Sequence, residues 1–123
     1  MRYASTVSSE IEPTGVRVCG IADALELVGD RWALLALREL GFGVNRFSEI
    51  RARTGAPKAS LTTRLRDLER GGLIERRRYR EHPPRDEYVL TEAGEGLLPI
   101  LGHLRIWGEK YATPLVRTSG TDN

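Results

Sequence analysis

The sequence predicts an α+β domain, mostly helical, with one β-hairpin set between helices. Three observations predict it. Apolar residues recur at helical spacing near both ends of the chain: Ile21, Ala24, Leu25 and Val28 in front, and Ala93, Leu97, Ile100, Leu104, Trp107 and Tyr111 behind. The turn Thr54-Gly55-Ala56-Pro57 joins two further helical stretches. After Gly71-Gly72, two strand-like runs flank a Pro-Pro pair.

The elements follow in order. Residues 1–16 mix Ser, Thr, Glu, Pro and Gly without helical period and read as a flexible tail, with the domain proper over 17–116. The first helix ends at Gly29. Asp30 is a good N-cap for a second helix, Arg31 to Leu40, which is apolar nearly all round and so belongs at the domain centre. Asn45–Phe47 suits a very short strand, and Ser48 can cap a third helix to about Arg53. A fourth helix runs from Pro57 to about Arg70, with Leu61, Leu65 and Leu68 as its core stripe. Two helices around a short Gly-containing turn make a helix-turn-helix.

Leu73 to Arg80 reads as a strand, Glu81 to Asp86 as a turn in which Pro-Pro bars pairing, and Glu87 to Leu90 as the return strand. An arginine-rich hairpin directly after a helix-turn-helix is the winged-helix arrangement. Thr91 caps a long last helix, Glu92 to about Tyr111, which Pro99 should kink. Its apolar stripe is wider than one small domain needs, so part of it either meets a second subunit or covers its own core. Residues 117–123 should fray.

Composition narrows the function. The 123 residues suffice for one core, at 40% hydrophobic and 29% charged. One Cys permits no internal disulfide and no Cys-rich zinc site, so neither metal nor cofactor is expected. No apolar run approaches the ~18 residues of a membrane span, and Met1 to Glu12 lacks a signal-peptide h-region. The expectation is a cytoplasmic protein with no membrane partner. Only His82 and His103 occur, with no phosphate loop or nucleophile motif, which argues against an enzyme. The net charge of +2 hides a division: Asn45 to Arg85 carries +7 and the remainder −5. That basic middle suits a polyanion-binding face, against which stands chance clustering of solvated charge. A winged helix used only for protein–protein contact is the alternative to DNA binding.

The chain resembles the HxlR-type branch of the MarR-like winged helix-turn-helix bacterial transcription regulators. The resemblance is carried by Cys19-Gly20-Ile21-Ala22, Gly29-Asp30-Arg31-Trp32 with Leu34 and Leu35, Arg38-Glu39-Leu40, and Arg46-Phe47-Ser48-Glu49-Ile50. It continues through Leu61 to Glu69, Gly72 to Arg76, Pro83 to Thr91, Leu97-Leu98-Pro99 and Trp107-Gly108, so it spans about residues 18–112. It implies a homodimer that binds double-stranded DNA and commonly represses neighbouring genes. The family often has Cys-Pro where this chain has Cys19-Gly20.

The candidate residues divide by element. At ~100° per residue, Leu61, Leu65 and Leu68 face the core while Ala59, Thr63, Arg66 and Arg70 face away. The candidates for base edges or nearby backbone are Lys58, Ser60, Thr62, Thr63 and Arg66. Arg64, on the boundary, either contacts phosphate or braces the helix against its own domain. Asp67 should pair with a nearby Arg. In the wing the candidates are Arg77, Arg78, Arg80 and Arg85, with Arg76, Arg78 and Arg80 expected on one face and Arg77 on the other. The dimer candidates are Ile21, Leu97, Ile100, Leu104, Trp107 and Tyr111. By the resemblance, Cys19 sits where some members sense electrophiles or oxidants; a helix N-terminus favours the reactive thiolate, with Arg17 and Arg31 near it in sequence. Against this stands a small buried hydrophobe. A small-molecule effector lined by Trp32, Trp107 and Tyr111 is the other signal considered, against plain core aromatics.

Overall fold

The computed structural model describes residues 11–120, with side chains to Arg117. The first ten residues of the expected tail lie outside the described residues. Ile11 and Arg17 form one antiparallel bridge, closed by Glu12 N donating to Val16 O at 2.6 Å. Four helices follow: α1 Gly20–Val28, α2 Arg31–Gly41, α3 Phe47–Thr54 and α4 Lys58–Arg70. The hairpin is β1 Ile74–Glu81 with β2 Pro84–Leu90. The chain ends in α5 Glu92–Glu95, α6 Leu98–Trp107, a π-helical turn Gly108–Ala112 and α7 Thr113–Gly120.

Helix α2 is the hub. It meets α3, α4, α6 and β2. Asp30 starts it as expected: its Oδ1 accepts from Trp32 N at 2.8 Å and Ala33 N at 3.2 Å. Ala33, Ala36, Leu37 and Leu40 are buried against Ile50 of α3, Leu61, Leu65 and Leu68 of α4, and Leu73 and Ile74 at the start of β1. Each fully buried Leu or Ile contributes roughly 1.5–3 kcal/mol, which fixes the angle between the two helices of the helix-turn-helix. Gly55 closes α3 at φ 77°, a left-handed conformation that side chains with a Cβ resist. Buried Glu39 is held by Arg38 Nε at 2.7 Å.

Several boundaries differ from expectation. Asn45–Phe47 is not a strand: Phe47 opens α3, Arg46 is its N-cap, and Ser48 lies inside the first turn without capping. One strand-like bond remains, from Tyr88 N to Asn45 O at 2.8 Å. Pro57 stands just before α4 as its N-cap. The Pro-Pro pair does not bar pairing. The turn is confined to His82-Pro83, and Pro84 opposes Glu81 as the first residue of β2, a position where a missing N–H costs little.

The long last helix is not continuous. It breaks at Gly96-Leu97, and Pro99 sits in the first turn of α6 rather than kinking a helix interior. A proline belongs there because the first turn needs no N–H donor. Ahead of the break stands Gly94. A Cβ on it would collide with the Leu73 carbonyl, so α5 presses directly on the start of β1. The helical path also runs past Tyr111 to Gly120, into the segment expected to fray.

Candidate nucleic-acid interface

Helix α4 presents the predicted face. Lys58, Thr63 and Arg66 are exposed, and Ser60, Thr62 and Arg64 are half-buried. Thr62 Oγ1 donates to Lys58 O at 2.8 Å and Thr63 Oγ1 to Ala59 O at 3.0 Å. With each hydroxyl proton directed into the helix, these threonines offer outward lone pairs and methyls. That chemistry suits a cytosine amino donor or a thymine methyl. Of the two expectations for Arg64, the geometry is that of the brace: its guanidinium lies 3.7 Å from Asp30 Oδ2 and 3.4 Å from Asp67 Oδ2. Asp67 also holds Arg70 at 3.2 Å, the arginine pairing expected of it.

The wing arginines divide by partner. Asp86 Oδ1 accepts from Arg78 Nε at 3.2 Å, and Asp86 Oδ2 is 3.9 Å from Arg76 Nε. Glu81 is 3.8 Å from Arg78, and Glu75 is 3.1 Å from Arg77. Among the described residues Lys58, Arg66, Arg80 and Arg85 have no carboxylate partner. The expected shared face of Arg76, Arg78 and Arg80 is corrected. The register shifts between Arg78 and Arg80, so Arg78 opposes Asp86 while Arg80 opposes Arg85, leaving Tyr79 as the extra residue. Because Asp86 and Arg85 are neighbours on β2, Arg80 is turned to the side of Arg77 and Arg85.

In the sequence neither Arg46 nor Arg51 is singled out as a contact residue, yet both border this surface. Arg51 Nε donates to Ala56 O at 3.2 Å, locking the helix-turn-helix turn. Arg51 and Lys58 border an open groove with Phe47, Ser48, Ala52, Gly55 and Ala56. Arg46 lies with its guanidinium carbon 4.5 Å from the Tyr79 ring centroid. The signal that could have found Arg51 was its position one turn before Gly55 on a helix with few apolar residues.

The remaining candidates lie away from this surface. Ile21, Ile100, Leu104, Trp107 and Tyr111 are each more than half exposed, at 52–59%. Leu97, expected beside them, is instead half-buried against the core, because the break before α6 turns it inward. Trp107 and Tyr111 lie 5.6 Å apart and line an open apolar groove with Ala112, Leu115 and Val116. Trp32 is not part of that groove; it packs on the core with Arg31 over its ring at 4.7 Å. Cys19 is the N-cap residue of α1 and half-buried. No cluster able to hold a metal ion occurs among the described residues, and no helix there is long and apolar enough to cross a membrane.

A helix-turn-helix with a polar, basic second helix, flanked by an arginine hairpin, places the molecule among the winged-helix transcription regulators. The chain belongs to the HxlR-like helix-turn-helix family, which it matches over residues 27–115. It is 47% identical over 91 residues to the uncharacterized HTH-type transcriptional regulator Rv3095 of Mycobacterium tuberculosis strain H37Rv, covering 74% of this chain. That match spans only 58% of the relative's length. It is 42% identical over 96 residues to the regulator YdeP of Bacillus subtilis strain 168, covering 76% of this chain and 73% of YdeP. Among solved structures, the redox regulator HypR in its oxidized form superposes with a TM-score of 0.68 at 33% identity, covering 75% of this chain and 96% of HypR.

Proposed function

We propose that this chain is a homodimeric repressor that binds a pseudo-palindromic operator through α4 and the wing, residues 73–90. The observation that carries the reading is the placement of cations that lack an acidic partner among the described residues. On α4 and the wing these are Lys58, Arg66, Arg80 and Arg85, whereas Arg64, Arg76, Arg77 and Arg78 there are paired. In this reading α4 enters the major groove, with Lys58, Ser60, Thr62, Thr63 and Arg66 toward base edges or adjacent backbone. Arg80 and Arg85 meet phosphate or the minor groove, and Arg77 and Arg78 reach DNA only by giving up Glu75 and Asp86. Arg64 acts indirectly, by holding α4 to the α1–α2 corner. The exposed stripe of α6 and α7 with Ile21 forms the dimer face, and two recognition helices about 34–36 Å apart read half-sites one turn apart.

Titration against the region upstream of the gene, and against variants of it, tests the reading. Arg66→Ala costs about 1–3 kcal/mol and relaxes preference at one base position, while Arg80→Ala weakens all sequences alike. If the dimer neutralises roughly 6–10 phosphates, log K falls with log salt at a slope of about −5 to −9. Identical behaviour of the two variants, or a single asymmetric footprint, rejects the assignment. A reporter driven by the bound region must rise when the gene is removed; a fall makes the protein an activator.

Cys19 is the proposed entry for a thiol signal, and similarity to a protein named a redox regulator supports it. With no second Cys in the chain, an oxidant would join two Cys19 thiols across the dimer or cap each with a small thiol. A Cys19→Ser protein that still releases DNA on peroxide treatment rejects that assignment. The signal would then have to enter elsewhere, the Trp107–Tyr111 groove being the remaining small-molecule candidate.

A further inference from the structure

We propose that Tyr79 is a positioning residue for DNA binding: its bulge in β1, held under the Arg46 guanidinium, sets the face from which Arg80 and Arg85 leave the wing. The inference rests on the DNA-binding reading above.

Regular alternation along β1 would place Arg80 beside Arg76 and Arg78, within reach of Asp86. The extra residue prevents this. Up to Arg78 each residue opposes its expected partner, and beyond Tyr79 the pairing is displaced by one, giving Arg80 opposite Arg85 and Glu81 opposite Pro84. The 3.8 Å approach of Arg78 to Glu81 reports the same flip, since residues three apart on an unbulged strand face opposite sides. The wing is thereby sorted into two faces. One holds Arg76 and Arg78 with Asp86 and Glu81; at the tip of the other stand Arg80 and Arg85, directly opposed. Like charges directly opposite repel in a free hairpin, and a phosphodiester seated between them removes that repulsion.

The bulge is anchored to the helix-turn-helix. Arg46 is the N-cap of α3, and its guanidinium lies 4.5 Å from the Tyr79 centroid. The preceding residue, Asn45, accepts from Tyr88 N of β2 at 2.8 Å. One dipeptide thus ties down both strands of the wing, β1 through Tyr79 and β2 through Tyr88. Without the Arg46–Tyr79 stack the tip is free to swing about the Asn45 bond, and Arg80 and Arg85 lose their fixed distance from α4.

The 123-residue chain is titrated by fluorescence anisotropy against two labelled duplexes of equal length, one from the gene's own upstream region and one of scrambled sequence. Tyr79→Leu keeps the bulk but removes the aromatic face, and is expected to weaken both duplexes about fivefold. It should also reduce the salt slope by ~0.9 for each phosphate that is no longer neutralised. Tyr79→Phe, which keeps the face, binds as the unaltered protein does. In the Tyr79→Leu, Arg80→Ala double variant the losses are less than additive, because only Arg85 is left for the ring to position. An unchanged salt slope in Tyr79→Leu, or additive losses in the double variant, overturns the proposal. If the unaltered protein binds neither duplex, the DNA-binding reading falls and takes this one with it. If it binds and Tyr79 is indifferent, only this one falls. Tyr79→Ala provides a second test of the same outcomes if Tyr79→Leu fails to fold, as judged by circular dichroism.

Discussion

One carboxylate, that of Asp30, serves two helices at once. Its Oδ1 caps α2 through Trp32 N and Ala33 N, while Oδ2 faces Arg64 of α4. Asp30→Ala should therefore lower unfolding free energy by about 1–2 kcal/mol, most of it from the missing cap and less from a partly exposed ion pair. Asp30→Asn, which still accepts at the cap, should lose less. Urea denaturation of the three proteins checks the order. The cap was legible in the sequence because Asp before an apolar helical run is a local signal. The partner of Arg64 was not. Helical phase placed Arg64 on a boundary, and only the crossing of α2 and α4 brings Asp30 within 3.7 Å.

At the scale of elements, helices were legible wherever a local signal ended them. Gly29, Gly55 and Gly71-Gly72 stop α1, α3 and α4 where expected. The wing and the last helix were less so, because each is set by a contact distant in sequence. Alternation along β1 is broken at Tyr79, and no local signal announces the bulge; its ring contact is with Arg46, on another element. Gly94 of α5 presses on the Leu73 carbonyl, so Gly94→Ala should destabilise the fold by about 1–3 kcal/mol. Pro99→Ala should change stability by less than about 1 kcal/mol, since a first-turn proline replaces no helix bond. Thermal melts of both variants separate this arrangement from a proline-kinked helix interior, where removing the proline would stabilise by much more.

For the molecule as a whole, charge segregation was legible as a +7 middle and a −5 remainder. Which cations are available was not, since the acids that neutralise Arg76, Arg77 and Arg78 lie within or beside the same stretch. The apolar stripe on α6 was legible from its period. Its exposure is a property of the fold, with Ile100, Leu104, Trp107 and Tyr111 turned away from the core. If that stripe joins two copies, Leu104→Glu should yield a monomer by sedimentation velocity. The melting temperature of the unaltered protein should also rise with concentration, and that dependence should vanish in the variant. A monomeric unaltered protein sinks the dimer.

The π-helical turn at Gly108–Ala112 has a consequence for how such proteins diverge. It stores one residue more than an α-helix needs over the same stretch, and everything beyond it, including Leu115 and Val116, inherits its angular phase. Losing a single codon there would turn the terminal segment by about 100° while leaving it helical. Two gene copies that differed only by that codon would present different apolar seams. If that seam joins two copies, they would stop assembling with one another before their recognition helices had changed at all.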